Sequence, residues 1–178
     1  IPDIAEVCYG RDVGWGVRHI RLNEDLENIS ATKIRNSQKK VIWLTGNSGA
    51  GKSSFAYLLK ERLNGIVLDG DELRHSISAD LGFSKKDRDE HNIRVAKLAR
   101  VLHNQGFNVI VSVIAPYEET RKKITKIVNP YWIYIKYDKD DPDYPYEPPK
   151  NADVVIDPTE ESLLNNLGKI LKEVGELP

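Results

Sequence analysis

Gly46-Asn47-Ser48-Gly49-Ala50-Gly51-Lys52-Ser53 fills every fixed position of the pattern G-x-x-x-x-G-K-[ST]. Val41-Ile42-Trp43-Leu44-Thr45 before it reads as a strand, and Phe55-Ala56-Tyr57-Leu58-Leu59 after it continues as a helix. That order of strand, loop and helix is the setting in which the pattern holds phosphate. Its three glycines let successive backbone N–H groups turn inward on an anion, and the following helix adds the positive end of its dipole. The stretch from Gly46 to Ser54 is therefore expected to hold the phosphates of a nucleotide. Lys52 would reach the outer phosphates of a nucleoside triphosphate, and the Ser53 hydroxyl would hold Mg²⁺. A glycine-rich turn that binds nothing is the plainer alternative, and the filled fixed positions in the right setting weigh against it.

The chain has 178 residues, enough for one domain of ordinary size with a sizeable core. A net charge of −1 gives no sign of a nucleic-acid or membrane partner, so a small-molecule partner is expected. The lone cysteine, Cys8, excludes an internal disulfide and a multi-cysteine metal site, which fits a reducing cytoplasm. No apolar stretch approaches the roughly 18 residues of a membrane span, and the start lacks the layout of a signal peptide. The chain begins at Ile1 and has no methionine, as a fragment or a renumbered chain would.

Residues 1–37 differ in texture from the rest. Val7-Cys8-Tyr9 and Val17-Arg18-His19-Ile20-Arg21-Leu22 alternate like strands around a glycine-bearing turn. From Ser37 the chain alternates β and α units. Ile66-Val67-Leu68 is the second strand and ends in Asp69-Gly70-Asp71, while Ser84 and Asp87 form a capping box that opens a helix to about Asn104. Val95, Leu98, Ala99 and Leu102 make the apolar stripe of that helix. Asn108 to Val113 is the third strand, followed by a helix from Glu118 to Val128 and a fourth strand, Tyr131 to Ile135. Asp138 to Lys150, dense in Asp, Pro and Tyr, is a loop. Val154-Val155-Ile156 is the fifth strand, and Thr159 is expected to cap the last helix. Short strands without polar alternation predict an α/β fold whose five-stranded parallel sheet is covered on both faces.

Asp69 and Asp71 end the second strand at the carboxyl edge of the sheet, where ligands gather. From there a carboxylate reaches an acceptor hydroxyl lying across from a γ-phosphate. The third strand ends in Ser112-Val113 and offers no acid, and no N-K-x-D stretch is present to read guanine. A kinase is thus favoured over a switch GTPase. His19, His75 and His103 lack metal-ligand spacing and read as surface or helix residues.

The same residues carry a family resemblance. The loop Gly46 to Ser54, Leu68 to His75, Asp80 to Arg88, Ile114-Ala115-Pro116-Tyr117 and Pro145-Tyr146-Glu147-Pro148-Pro149 resemble the adenylyl-sulfate kinase family, in that family's own order, over residues 39–172. The resemblance implies a P-loop kinase domain at 38–178. It implies transfer of the γ-phosphate of ATP, with Mg²⁺, to the ribose 3′-hydroxyl of adenylyl sulfate. It further implies Asp71 as base or orienting acceptor for that hydroxyl, Asp69 as a magnesium residue acting through water, and Lys52 at the transferred phosphate. Arg74 and Arg88 would grip the 5′ anionic group, Phe83 would stack on the base, and Ile114 and Ala115 would line the substrate. Kinases of this resemblance are commonly dimers.

Some positions depart from the family. Where it carries Asp-Arg-x-Glu-Asn-Ile-Arg-Arg, this chain has Asp87-Arg88-Asp89-Glu90-His91-Asn92-Ile93-Arg94, so His91 replaces a substrate-reading Asn and Ile93 an Arg. Arg88, His91 and Asn92 share a helix face, which keeps His91 and Asn92 as candidate substrate contacts. Ala115 replaces a Ser, Glu118 an Arg, and Arg121 matches the next Arg. The family's lid has no counterpart between Ile135 and Pro145, so Trp132, Tyr144 or Tyr146 is expected to supply replacement stacking.

Ile29-Ser30-Ala31-Thr32-Lys33-Ile34-Arg35 resembles the I-S-x-T-x-x-R signature near the end of cytidylyltransferase-like nucleotidyltransferases, with an ordinary capped helix start as the alternative. Residues 1–37 accordingly read as the tail of a fused or adjacent nucleotidyltransferase. A cytidine unit upstream would make cytidine diphosphoramidate the rival acceptor. A catalytically silent nucleotide sensor is the reading from another class, and the acceptor carboxylates argue against it.

Overall fold

The computed structural model describes residues 40–137 and 145–175, all within the larger of the chain's two units, Ala31–Pro178. Residues 1–37, with the nucleotidyltransferase-like stretch and Cys8, lie outside the described residues, as does Tyr144.

Five parallel strands, β1 (Val41–Thr45), β2 (Ile66–Asp69), β3 (Val109–Ser112), β4 (Tyr131–Ile135) and β5 (Val154–Ile156), lie in the order β2-β3-β1-β4-β5. The helices are α1 (Lys52–Leu63), α2 (Gly70–Arg74), α3 (Lys85–Asn104), α4 (Glu118–Val128) and α5 (Leu163–Glu173). The expected five-stranded parallel sheet is borne out.

Side chains alternate across the pleat, and both faces of the central strands are apolar. Ile42 and Leu44 of β1 face one core, with Phe55, Ala56 and Leu59 of α1 and Leu167, Ile170 and Leu171 of α5. Val41 and Trp43 face the other, with Val95, Ala96 and Ala99 of α3 and Ile124 of α4. Trp43 is fully buried, and its indole N–H donates to the Val113 carbonyl at 3.0 Å, so no donor is left unpaired. Its ring meets that of Trp132 at 5.4 Å between centroids.

Helix ends follow local chemistry. Ser84 caps α3 by accepting from the Asp87 N–H, and the Ser84 hydroxyl donates to the Asp87 carboxylate. The buried stripe of α3 runs through Arg88, His91, Asn92, Val95, Ala96 and Ala99, while Leu98 and Leu102 are only partly buried. The last helix begins later than expected: Ser162, accepting from the Asn165 N–H, is its cap, and Thr159 instead donates from its hydroxyl to Asp157 in the preceding turn.

Register sets the positions that matter for chemistry. Leu68 lies beside Val111 and Asp69 beside Ser112, so the carboxyl ends of β2 and β3 finish level next to the loop that leaves β1.

A candidate phosphotransfer cleft

At the carboxyl end of the sheet a cleft of about 540 Å³ is lined by the glycine-rich loop, the ends of β2 and β3, α2 and the start of α3. Gly46 is required by close approach: a Cβ there would stand 2.4 Å from the Ile135 carbonyl oxygen. Gly51, at φ +85, turns the chain into α1 through the left-handed region that only glycine enters freely.

Lys52 Nζ donates to the carbonyls of Gly46 at 3.0 Å and Asn47 at 2.7 Å, which folds the side chain back over the loop. Burial lowers its ammonium to about 8, against the opposing pull of Asp69 and Asp71. The amine still carries its charge at neutral pH. Ser53 Oγ donates to Asp69 Oδ2 at 2.9 Å and lies 3.3 Å from Ser112 Oγ. The other oxygen of Asp69 accepts the Asp71 N–H at 3.0 Å and caps α2. One carboxylate thereby ties the loop serine to the strand end that presents Asp71.

Phe83 is 65% exposed, and the guanidiniums of Arg74 at 4.5 Å and Arg88 at 5.5 Å lie over its ring. Arg74 Nη1 donates to the Gly82 carbonyl at 2.7 Å, and Arg88 Nε to the Phe83 carbonyl at 2.8 Å. Both arginines line the cleft with Phe83, His91 and Asn92. His91 and Asn92 are each 2% exposed.

Of the residues the sequence assigned, the cleft gathers Ser48, Gly49, Gly51, Lys52, Ser53, Ser54, Asp69, Asp71, Arg74, Phe83, Arg88, His91, Asn92 and Ile114. Gly46, Asn47 and Ala50 shape the loop without lining the cleft. Ala115 is a correction: at φ +46 its backbone turns through the left-handed region, and its methyl is buried in the core beneath β3 instead of facing substrate. Trp132 is another, since it is buried and its indole N–H donates to Thr125. Tyr146 is a third: its hydroxyl pairs with Thr45 at 3.0 Å, its ring stacks on Tyr134 at 6.0 Å, and burial pushes its phenol well up. Neither ring is presented to the cleft. Arg121 is 4% exposed and donates to the carbonyls of Ala115 and Glu147, so it fastens the wall rather than touching ligand.

Gly70, Ser112, Val113 and Pro116 line the cleft and were missed. Ser112 carries the readable signal, because a hydroxyl at the end of a strand paired with β2 must stand beside Asp69. Among the described residues no cluster of three or more His, Cys, Asp or Glu forms a metal cage, and no helix is long and apolar enough to cross a membrane.

A parallel sheet with a lysine-bearing glycine-rich loop, and with carboxylates beside that loop at its carboxyl edge, defines a P-loop kinase. The adenylylsulphate kinase family model matches residues 38–141, and the chain belongs to that family. The probable adenylyl-sulfate kinase of Bacillus subtilis is 33% identical over 83% of this chain and 87% of its own length. A bifunctional enzyme CysN/CysC of Xylella fastidiosa is 39% identical over 55% of this chain, a match spanning 16% of that protein. The solved APS kinase CysC of Mycobacterium tuberculosis, in complex with AMPPNP and APS, superposes with a TM-score of 0.68 at 28% identity, over 76% of this chain and 97% of that one.

Proposed function

We propose that this chain transfers the γ-phosphate of ATP to the ribose 3′-hydroxyl of adenylyl sulfate. The observation that carries this reading is the convergence, in one cleft, of Lys52, the Ser53–Asp69 pair, Asp71 and the Arg74–Phe83–Arg88 group. The ATP half rests on the glycine-rich loop, whose N–H groups and α1 receive the phosphates while Lys52 swings from its carbonyl partners to the outer phosphates. Ser53, Asp69 and the neighbouring Ser112 form a set of hard oxygen donors that suits Mg²⁺, and Ser53 and Asp69 would hold it. When bound, the ion offsets charge on the transferring phosphate. Asp71, at the start of α2, takes or orients the acceptor hydroxyl in line with that phosphate.

Arg74 and Arg88 hold the 5′ anionic group, and Phe83 gives the base a stacking surface. The Bacillus subtilis and Mycobacterium tuberculosis relatives are named adenylyl-sulfate or APS kinases, which favours adenylyl sulfate over the cytidine compound. Retention of both Asp69 and Asp71 in the cleft favours catalysis over nucleotide sensing. The bifunctional relative is compatible with a fused partner upstream, and the single cysteine with a reducing cytoplasm.

Asp71→Asn tests the assignment. Turnover is expected to fall by about 10²-fold or more while ATP affinity stays within about twofold. Unchanged turnover would remove Asp71 from its role.

A further inference from the structure

Between the two cleft-lining residues Ile114 and Pro116 stands Ala115, fully buried and at φ +46. An alanine keeps such a left-handed backbone only where its surroundings impose it. Here they include Tyr146 and Glu147, which come much later in the chain.

Glu147 grips this wall with three groups. Its backbone N–H donates to the Pro116 carbonyl at 2.9 Å, its carboxylate accepts the Glu118 N–H at 2.8 Å, and its carbonyl accepts from Arg121 Nη2 at 2.8 Å. The second of these caps α4 from outside the helix, because Tyr117 at the N-cap position makes no side-chain cap. Arg121 returns the grip through Nη1, which donates to the Ala115 carbonyl at 2.8 Å.

Tyr146 holds the other end. The Thr45 hydroxyl gives its single proton to the Ile114 carbonyl at 2.5 Å, so in the 3.0 Å contact with Tyr146 the phenol is the donor. The Tyr146 ring is fixed in turn by Tyr134, stacked at 6.0 Å, and by the Arg121 guanidinium 5.9 Å from its centre. Thr45 is fully buried in β1, paired with Tyr134 of β4, and immediately precedes Gly46. The sheet therefore already fixes the start of the phosphate loop, and the end of this relay that remains to be placed is Ile114. Neither Tyr146 nor Glu147 lines the cleft, so their effect on it runs through Ile114, Ala115 and Pro116.

We propose that Tyr146 and Glu147 are positioning residues for the acceptor: a strap that holds Ile114-Ala115-Pro116 in its strained turn and sets that wall of the cleft relative to the phosphate loop. The inference rests on the acceptor reading given above. Because the loop is held by the sheet and the wall by the strap, loosening the strap acts on the acceptor and spares ATP.

The test is steady-state phosphate transfer from ATP with Mg²⁺ to adenylyl sulfate by the full chain. The KM of each substrate is measured for the wild type, Glu147→Ala, Glu147→Gln and Tyr146→Phe, with thermal melts of the same preparations. Glu147→Ala is expected to raise the acceptor KM about tenfold and to leave the ATP KM within about twofold. Glu147→Gln keeps a side-chain oxygen for the Glu118 N–H and should hold the acceptor KM within about twofold of wild type. Tyr146→Phe keeps the ring and loses only the donor to Thr45. It should raise the acceptor KM about threefold or more with the ATP KM unchanged, and it decides the matter should Glu147→Ala not fold. A lower melting temperature with both KM values at wild type, or both KM values rising together, overturns the positioning role and leaves the strap a structural brace. Absence of transfer to adenylyl sulfate by the wild type overturns the acceptor reading itself, and the positioning role with it.

Discussion

Phe83 leaves 65% of its surface in solvent while two guanidiniums hold its ring and its carbonyl. Such a ring lies outside both core clusters, and the proposed function gives it the acceptor base to stack on. Phe83→Ala should therefore raise the KM for the acceptor about tenfold or more while moving the unfolding free energy by less than about 0.5 kcal/mol, read from initial rates and urea melts of one preparation. A large loss of stability without a change in KM would return Phe83 to the core. This residue, like Lys52, Ser53, Asp69 and Asp71, was legible because each sits in a motif whose chemistry demands that side chain. Ala115 was not: its φ of +46 depends on the surrounding fold, with Arg121 donating to its carbonyl at 2.8 Å, and no local pattern announces a buried alanine in the left-handed region.

Helix α3 carries Arg88, His91 and Asn92 as one rigid row, so its N-terminus sets how that row meets the cleft. Ser84 is its cap, and Ser84→Ala should cost about 1 kcal/mol of stability in denaturant unfolding. Fraying of the first turn would also loosen the Arg88 contact with the Phe83 carbonyl, so acceptor KM should rise more than ATP KM. Equal effects on both substrates would show that the first turn does not govern the acceptor side. The cap of α3 could be read from Ser84 and Asp87 because capping is local. The start of α5 was misplaced because both Thr159 and Ser162 are competent caps, and packing of Leu167, Ile170 and Leu171 into the core chooses the later one. The burial of Trp132 was equally hidden, since its face is decided by pairing beside Trp43 in β1, a contact between distant parts of the chain.

The described residues form a sheet with two apolar faces, each covered by helices, and a buried base on α3, His91, links their stability to acid. His91 titrates near 6.5 when exposed but only at about 4 in the folded chain, chiefly through burial and then through Arg74 and Arg94. Below about pH 6.5 the unfolded chain binds the extra proton, so folding free energy should decline from there to about pH 4, by up to ~1.4 kcal/mol per pH unit. In His91→Asn that component should vanish, as urea midpoints followed across the same range would reveal; an unchanged slope would mean that other groups carry the acid sensitivity. The layered fold was readable because strands buried on both sides are apolar throughout, whereas the burial of His91 and Asn92 follows only once α3 is docked against the cleft. The central claim is phosphate transfer to the acceptor ribose, and its most direct measurement is incubation with γ-labelled ATP and Mg²⁺, offering adenylyl sulfate and cytidine diphosphoramidate in parallel. The account predicts label on the 3′-oxygen of adenylyl sulfate, dependent on Asp71. Label on the cytidine compound alone, or on neither while ATP is bound, would contradict it.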